Sequence, residues 1–158
     1  MKIRVGFGFD VHQLREELPL TLGGVIIPHN KGALGHSDAD VIIHAICDAL
    51  LGAAGLKDIG HYFPDTSAEF KGIDSKILLS RVIDLLKGQN FYVGNVDVTL
   101  CLENPKIKPY IDNMRSVLSS VMNIGITDIS IKATTNEKMG FIGREEGVAA
   151  YAVVLIQQ

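Results

Sequence analysis

Acidic and histidine side chains in the first third of the chain could bind a metal ion. Asp10 and His12 stand two residues apart in a segment with strand-like alternation, so their side chains point to the same face. His44 lies in a predicted helix, with Asp40 and Asp48 one turn to either side. Burying three ionisable groups without partners would be costly, so this helix needs an explanation beyond core packing.

Three interpretations of this pattern are open. Asp40 and Asp48 could form a solvated helix face with His44 between them, or Asp48 could bond His44 as a structural pair. In the third, Asp10, His12 and His44 supply one oxygen and two nitrogens to a metal. Three protein ligands with an open fourth position are typical of catalytic zinc, and such an ion can polarise a phosphoryl oxygen.

A second polar cluster spans residues 132–138, Lys-Ala-Thr-Thr-Asn-Glu-Lys. A strand running into it would present hydroxyls, backbone N–H groups and the carboxylate of Glu137. Such a set suits phosphate together with Mg²⁺, which usually takes one or two carboxylates and substrate phosphates. The same residues also fit a polar strand-to-turn transition. Arg144, a few residues on, could contact an anion or pair with Glu145 or Glu146.

His36 and Ser37 come directly before the predicted helix that carries His44. Backbone N–H groups at a helix N-terminus bind anions, and these two side chains could add donors. Alternatively, Ser37 is the N-cap and nothing more. The chain has neither a Walker A loop nor GxGxxG, which disfavours those two kinds of nucleotide site.

The elements that must position these residues follow from the hydrophobic periodicity. Strands are predicted over 3–9, 22–27 as its hairpin partner, 91–102, 129–134 and 147–156. Helices are predicted from 38, after Ser37 as N-cap, to about 52–55, over 74–87, and from about 105 to 125. The connection 57–72 is long enough to be a candidate lid. The order β-β-α-α-β-α-β-β predicts an α+β fold, a single-domain sheet with helices packed on one face.

Composition bounds the class of protein. The 158 residues predict one domain, 1–158. Fifteen Lys+Arg against 18 Asp+Glu give a formal charge of −3 without a basic block, which argues against nucleic acid. Two cysteines, Cys47 and Cys101, lack CxxC spacing and indicate a reduced, cytosolic-type compartment. No signal peptide or apolar run near the ~20 residues of a membrane span is present, so we expect a soluble protein without membrane partners.

Seven motifs, in order along the chain, resemble those of a known family. They are Gly8-Phe9-Asp10-Val11-His12, Gly35-His36-Ser37-Asp38-Ala39-Asp40, Asp48-Ala49-Leu50-Leu51-Gly52-Ala53, Asp58-Ile59-Gly60, Phe63-Pro64-Asp65-Thr66, Gly94-Asn95-Val96-Asp97 and Lys132-Ala133-Thr134-Thr135. Together they resemble the 2-C-methyl-D-erythritol 2,4-cyclodiphosphate synthases of non-mevalonate isoprenoid biosynthesis. The resemblance implies a homotrimer with active sites between subunits, in a bacterial-type cytoplasm or, for a trimmed eukaryotic chain, a plastid-like organelle.

The activity that the resemblance implies is an intramolecular phosphoryl transfer on 4-diphosphocytidyl-2-C-methyl-D-erythritol 2-phosphate. The 2-phosphate attacks the β-phosphorus, a cyclic diphosphate closes and CMP leaves, which makes the enzyme a phosphorus–oxygen lyase. The family pattern puts one zinc ion per subunit on Asp10, His12 and His44. It puts a second cation, Mg²⁺ or Mn²⁺, on Glu137 with the substrate diphosphate.

The resemblance also assigns roles to residues that bind the substrate. His36 and Thr135 match positions that stabilise the transition state. The matching substrate contacts are Ser37, Asp58, Ile59, Gly60, Phe63, Asp65 and Thr66 on the methylerythritol phosphate side, Leu102, Pro105, Lys106, Lys108 and Thr134 on the cytidine side, and Phe141 and Arg144. Three positions depart from the family pattern: Asn136 replaces a threonine, Ser67 an aspartate, and Tyr151 a glutamate that some relatives carry near the trimer axis.

Two other function classes fit the same metal ligands. A zinc-dependent phosphohydrolase would use water as the nucleophile, and a non-catalytic trimeric module would bind nucleotide or metal without turnover. Neither explains why so many separated motifs occur together, so the sequence favours the synthase.

Overall fold

A 14-residue strand, β1, opens the chain and organises the fold in the computed structural model, which describes residues 2–158. Within those residues the strands are β1 Ile3–Glu16, β2 Leu20–Leu22, β3 Val25–Ile27, β4 Lys31–Leu34, β5 Tyr92–Cys101, β6 Ile129–Thr134 and β7 Gly147–Gln157. The helices are α1 Val41–Ala54, α2 Ile59–Tyr62, α3 Ser75–Gly88, α4 Ile111–Met122 and α5 Gly140–Gly143. Short 3-10 turns cover Ala68–Phe70, Lys108–Tyr110 and Ile126–Asp128.

The main sheet is mixed, with strand order β4-β1-β7-β5-β6. β5 and β6 are parallel, and the other neighbours are antiparallel. The single strand predicted over 22–27 is wrong: β2 and β3 form a separate hairpin, because Gly23 and Gly24 both have positive φ and make a two-residue turn. β1 therefore pairs with β4 and β7, which lie farther along the chain.

The helices cover one face of this sheet, as the sequence predicted. α1 is the central helix, and its residues are buried on nearly all sides because the sheet lies below it and α3 packs beside it. α3 and α4 complete the layer, each with a buried stripe and an exposed face. The prediction of a single-domain α+β fold is confirmed. None of the helices within residues 2–158 is long and apolar enough to cross a membrane.

The other face of the sheet is apolar and uncovered in the single chain. Val5, Phe7, Phe9, Tyr151 and Val153, which we call the open sheet face, remain 65, 64, 43, 39 and 43% exposed. The rings of Phe9 and Tyr151 contact each other across β1 and β7, with centroids 5.0 Å apart and ring planes tilted by 40°. An exposed apolar patch of this extent is characteristic of an interaction surface.

Two predicted local features differ from the structure. α1 begins at Val41 with Asp40 as its N-cap, so the prediction of Ser37 as N-cap is wrong. The helix starts later than predicted because Ala39 has a φ of 56°, which is not a helical backbone conformation. The Ser37 hydroxyl therefore accepts the Ala39 N–H in a local turn and does not cap α1. The connection 57–72 also contains two short helical elements that the sequence did not predict, α2 and a 3-10 turn.

Candidate metal centre and substrate cleft

Asp10, His12 and His44 converge where the helix-facing side of β1 meets the first turns of α1. Asp10 Oδ2 lies 2.9 Å from His12 Nε2 and 3.0 Å from His44 Nδ1, and the two nitrogens are 3.1 Å apart. A tetrahedral ion with bonds of about 2.0–2.1 Å would separate its ligand atoms by about 3.3 Å. This triangle is close to that size, so the three residues could hold one small divalent ion.

The electrostatics of this group favour a cation. Burial alone would raise the pKa of Asp10, but hydrogen bonds and charge attraction from His12 and His44 outweigh it and lower the pKa to about 2. Burial disfavours charge on His44 too, yet the Asp10 carboxylate, with Asp40 and Asp38, raises its pKa. The site therefore keeps an ionised carboxylate and attracts positive charge to the space beside it.

The other carboxylates on the α1 stripe have structural partners. Asp40 is fully buried and accepts the N–H groups of Gly23, Gly24 and Ile43, so its assignment to a solvated face is wrong. Asp48 accepts the N–H of Ile59 at 2.8 Å. It makes no hydrogen bond to His44, so the structural-pair interpretation is wrong as well. The metal-site interpretation is the one that the geometry favours.

A cleft of about 500 Å³ opens at Asp10, His12 and His44, which form part of its lining. Among the residues expected to bind substrate, its walls include His36, Ser37, Ile59, Gly60, Phe63 and Asp65. Asp58 and Thr66 belong to the same segment without lining the cleft; Asp58 caps α2 by accepting the N–H of His61. The ring of His36 bonds the carbonyl oxygen of Ser67 at 2.9 Å, so this side chain ties the 57–72 segment to the rim.

Sequence reasoning missed four residues of the cleft wall. They are Gly35, Pro64, Phe70 and Leu78. Gly35 and Pro64 belong to two of the motifs that resemble the family, so their membership in those motifs could have indicated a place in the site. Phe70 and Leu78 are apolar residues of a 3-10 turn and of α3, and nothing in their local sequence distinguishes them from core residues.

A second cluster lies at the carboxyl ends of β5 and β6. The N–H of Leu102 donates to the carbonyl of Thr134 at 3.0 Å, and the Thr135 hydroxyl donates to Glu137 Oε1 at 3.2 Å. Glu137 is exposed, as are Lys106 and Lys108 on the neighbouring loop after β5. Pro105, between these elements, is half-buried. This cluster brings together the residues expected on the cytidine and second-cation side.

The two clusters are separate within one chain. The strand register aligns Asp10 with Ala150, Leu100 and Ala133 in one row across β1, β7, β5 and β6. Three strand spacings of about 4.8 Å put the metal ligands about 14 Å from the β6 end of this row. No residue of 102–108 or 134–137 lines the cleft.

Phe141 and Arg144 belong to neither cluster. Phe141 lies in α5 and lines a shallow recess with Phe9 and His12. Arg144 makes a two-pronged ion pair with Glu146, with both N–O distances 3.0 Å, so the ion-pair alternative for Arg144 is the one present in the single chain.

Comparisons with known proteins agree with this architecture. The YgbB family model matches residues 3–157. The 2-C-methyl-D-erythritol 2,4-cyclodiphosphate synthase of Bacteroides fragilis is 60% identical over 158 residues, covering 100% of this chain and 99% of the relative. That of Phocaeicola vulgatus is 61% identical over the same length, covering 100% of this chain and 99% of that relative.

Solved structures show the same likeness. The bifunctional IspDF from Campylobacter jejuni superposes with a TM-score of 0.95 at 42% identity; the match covers 98% of this chain but 42% of that longer protein. The Plasmodium falciparum IspF in complex with CDP gives a TM-score of 0.86 at 39% identity, covering 98% of this chain and 95% of that one. The chain belongs to the YgbB family, which confirms the resemblance to the cyclodiphosphate synthases that its motifs predicted.

Proposed function

We propose a mechanism for the activity that this family membership gives the chain, the cyclisation of 4-diphosphocytidyl-2-C-methyl-D-erythritol 2-phosphate to 2-C-methyl-D-erythritol 2,4-cyclodiphosphate with release of CMP. The observation that carries the mechanism is the convergence of Asp10, His12 and His44 within 3.1 Å at the floor of a substrate-sized cleft. Phosphoryl transfer needs little covalent assistance, so positioning and charge neutralisation supply most of the catalysis.

Asp10, His12 and His44 would hold zinc, one ion per subunit. Two imidazole nitrogens and one carboxylate oxygen suit zinc, and a substrate oxygen in the cleft would have access to an ion held there. A zinc ion bound there supplies Lewis acidity to a phosphoryl oxygen. The three side chains are 26, 16 and 13% exposed, so the protein shields the site while keeping one approach open.

Glu137 would hold the second cation, Mg²⁺ or Mn²⁺, against the substrate diphosphate. Its carboxylate is exposed at the end of β6 and accepts one hydrogen bond from Thr135, which leaves most of its lone pairs available. Mg²⁺ is usually bound by one or two carboxylates plus substrate phosphates, which fits a single protein ligand.

His36 and Thr135 would stabilise the transition state by polar contacts at the phosphoryl oxygens, for which the Thr135 hydroxyl would turn from Glu137 to the substrate. His36 stands at the rim of the cleft, and donating its Nε2–H to the Ser67 carbonyl fixes the plane of its ring. Polar groups held in place before reaction stabilise developing charge more than flexible ones do, because less reorganisation is needed. The segment 57–72 would close over the substrate and keep water from the β-phosphorus.

The remaining contacts follow the two clusters. The methylerythritol phosphate would lie against Ser37, Asp58, Ile59, Gly60, Phe63, Asp65 and Thr66. The cytidine end would lie against Leu102, Pro105, Lys106, Lys108 and Thr134, with Phe141 and Arg144 nearby. Lys106 and Lys108 would place positive charge near the leaving CMP.

We also propose that a homotrimer completes each site. One chain keeps the cleft and the strand end that carries the Thr134–Glu137 cluster about 14 Å apart, since three strand spacings separate β1 from β6. A neighbouring copy packed through the open sheet face would bury that apolar surface and bring its own β5–β6 end to the cleft. In a closed ring of three subunits, each subunit uses both surfaces of such a head-to-tail interface, so none is left exposed.

The direct test incubates the protein with Zn²⁺, Mg²⁺ and the cytidyl substrate, with a chelator-treated sample as control. We expect the cyclic diphosphate and CMP in equal amounts, and no product after chelation. A linear phosphorylated product would instead identify a phosphohydrolase. Tight CMP binding without turnover would identify a binding module.

A further inference from the structure

We infer that Ser75 and Asp38 are positioning residues that hold His44 in the tautomer able to bind a metal through Nδ1. Neither residue belongs to the cleft wall or to the ligand triangle. The inference rests on the metal site of the proposed function and names the residues that orient one of its ligands. It is carried by the directions of the hydrogen bonds that link these three side chains.

Ser75 is the first residue of α3 and is completely buried. Its Oγ lies 3.0 Å from Nε2 of His44, the ring nitrogen that faces away from the metal site. The same hydroxyl donates to Asp38 Oδ1, and the Ser75 backbone N–H donates to Asp38 Oδ2 at 3.0 Å. One carboxylate therefore accepts both donors of Ser75.

The number of available protons decides the direction of each bond. An ionised carboxylate can only accept, so the single hydroxyl proton of Ser75 is committed to Asp38. Ser75 Oγ then offers only lone pairs to His44, and Nε2 must carry the proton that joins them. In the neutral ring this leaves Nδ1 without a proton, facing Asp10 and His12. That is the arrangement a metal ligand requires, since a ligating histidine donates its other N–H to a fixed acceptor.

Ser37 is the competing partner, because its Oγ lies 3.1 Å from the same Nε2. It also accepts the N–H of Ala39 at 3.1 Å, and the acceptor nearest to its own proton is Ser75 Oγ, 3.5 Å away, a longer contact than the one that commits the Ser75 proton to Asp38. Because the bond to Ser75 requires the proton on Nε2 of His44, the Ser37 hydroxyl can interact with Nε2 only by accepting that N–H. Its own proton is then available to the cleft that Ser37 lines. The two hydroxyls therefore have different roles: Ser75 orients the ligand, and Ser37 faces the substrate.

The first experiment measures zinc affinity by competition with a chromogenic chelator in Ser75→Ala and in Ser80→Ala. Ser80 lies on the same helix but is exposed, so its variant is the matched control. Loss of a partner that orients a metal ligand typically weakens metal binding 10–100-fold, and we expect about that for Ser75→Ala. Ser80→Ala should match the wild type. Affinity of Ser75→Ala within threefold of the wild type would overturn the inference.

Asp38→Asn provides a second variant, which keeps the Ser75 hydroxyl and reverses its direction. The amide oxygen can accept the Ser75 N–H while the amide NH₂ donates to Ser75 Oγ, so the hydroxyl proton turns toward His44 Nε2. The ring must then carry its proton on Nδ1, where the metal would bind. We expect a loss of zinc affinity at least as large as in Ser75→Ala. Unchanged affinity in Asp38→Asn would also contradict the inference.

Nitrogen NMR of the zinc-loaded protein reads, independently of activity, how firmly the Nε2–H of His44 is held by its acceptor, since zinc on Nδ1 leaves the ring proton on Nε2. We expect a slowly exchanging Nε2–H signal from His44 in the wild type and in Ser80→Ala, and its loss or rapid exchange in Ser75→Ala. The same signal in Ser75→Ala would refute the role of Ser75. His44→Ala separates the two hypotheses: if it retains stoichiometric zinc, the metal site itself is wrong. If it loses zinc while Ser75→Ala and Asp38→Asn keep it, only the positioning role fails.

Discussion

The carbonyl oxygen of Ala45 lies 1.9 Å from the point where a Cβ atom would stand on Gly8. No such contact can exist between real atoms, so the absent side chain is what lets the backbone of α1 rest directly on β1. His44 is the neighbour of Ala45, and Asp10 is two residues beyond Gly8 on the same side of the strand. The close approach of helix and strand therefore sets the distance between the candidate metal ligands Asp10 and His44.

Gly8→Ala is expected to push α1 from β1 and open the ligand triangle. Overpacking of this kind typically costs about 1–3 kcal/mol, and the contact here involves backbone that cannot rotate away. We expect the free energy of unfolding of the metal-free protein to fall by about that amount, with loss of stoichiometric zinc. Urea denaturation and metal analysis measure the two effects.

Gly52→Ala is the matched control, since Gly52 lies in α1 and a Cβ there would have no neighbour within 4 Å. Alanine in a helix is more favourable than glycine by up to about 1 kcal/mol, so this variant should be as stable as the wild type or more so. Equal stability and zinc content in Gly8→Ala and Gly52→Ala would show that the close approach does not position the ligands.

Two local periodicities were enough to bring the three candidate ligands into one hypothesis, which stood beside two structural interpretations of the same residues. Strand alternation aligned Asp10 with His12, and the helical pattern placed His44 on a neighbouring element. The role of Asp40 depended on Gly23 and Gly24, which lie 17 and 16 residues away on a hairpin that no local pattern connects to α1. Such contacts form only once the elements pack, so periodicity carries no signal for them.

Pairing across the sheet was unpredictable for the same reason. β1 bonds β7 over eleven aligned residue pairs, from Ile3 with Gln157 to Gln13 with Gly147, although nearly the whole chain separates the partners. The turn at Gly23 and Gly24 was misassigned because two adjacent glycines within an apolar run can either continue a strand or reverse it. The distance between the candidate metal ligands on β1 and Glu137 after β6 also follows from the strand order, which the sequence pattern did not predict.

Asp48→Ala should impair substrate binding while leaving the metal in place. Asp48 accepts the N–H of Ile59, and this hydrogen bond fixes the start of the segment that lines the cleft. A hydrogen bond to a charged group contributes about 1.5–3 kcal/mol, and part of that is recovered by water at this half-buried site. We expect KM to rise about 5- to 10-fold with kcat within about threefold, from steady-state kinetics. Asp84→Ala, on the exposed face of α3, is the control. Zinc loss in Asp48→Ala would mean that Asp48 supports the metal site instead.

Asp40 should make stability depend on pH. Burial raises its pKa to about 6 from the usual 3.8, although the N–H groups of Gly24, Ile43 and Gly23 oppose the shift. The folded protein therefore holds a proton on Asp40 between about pH 4 and 6 that the unfolded chain releases. The contribution of this group to stability is present at low pH and is lost as the pH rises through 6.

The measurement compares unfolding free energies of the metal-free wild type and Asp40→Asn across this range. The variant cannot titrate at this position, so from pH 4 to 7 the wild type should lose up to about 3 kcal/mol relative to it. Burial disfavours charge on His44, but Asp10 outweighs it and raises the pKa; because His44 and Asp10 are present in both proteins, most of this contribution cancels in the comparison. A difference between the two proteins that stays constant from pH 4 to 7 would refute the assignment.

Glu137→Gln should weaken the dependence of activity on Mg²⁺ more than it lowers the zinc content. The carboxamide keeps the size of the side chain but loses the negative charge that a hard cation requires. We expect the Mg²⁺ concentration for half-maximal activity to rise at least 10-fold, with zinc still near one per chain. The reverse order, zinc lost and Mg²⁺ dependence unchanged, would count against the second-cation role.

Mixing two inactive variants tests whether one active site draws on two subunits. His44→Ala removes a zinc ligand from the cleft, and Glu137→Ala removes the proposed cation ligand from the cluster about 14 Å away in the same chain. If each site combines the cleft of one subunit with the cluster of its neighbour, a mixed trimer contains some sites with both halves intact. Random assembly from equal amounts makes that fraction about one quarter. Co-refolding the two variants should therefore restore about 25% of wild-type activity, whereas sites built within single subunits would leave the mixture as inactive as its parts.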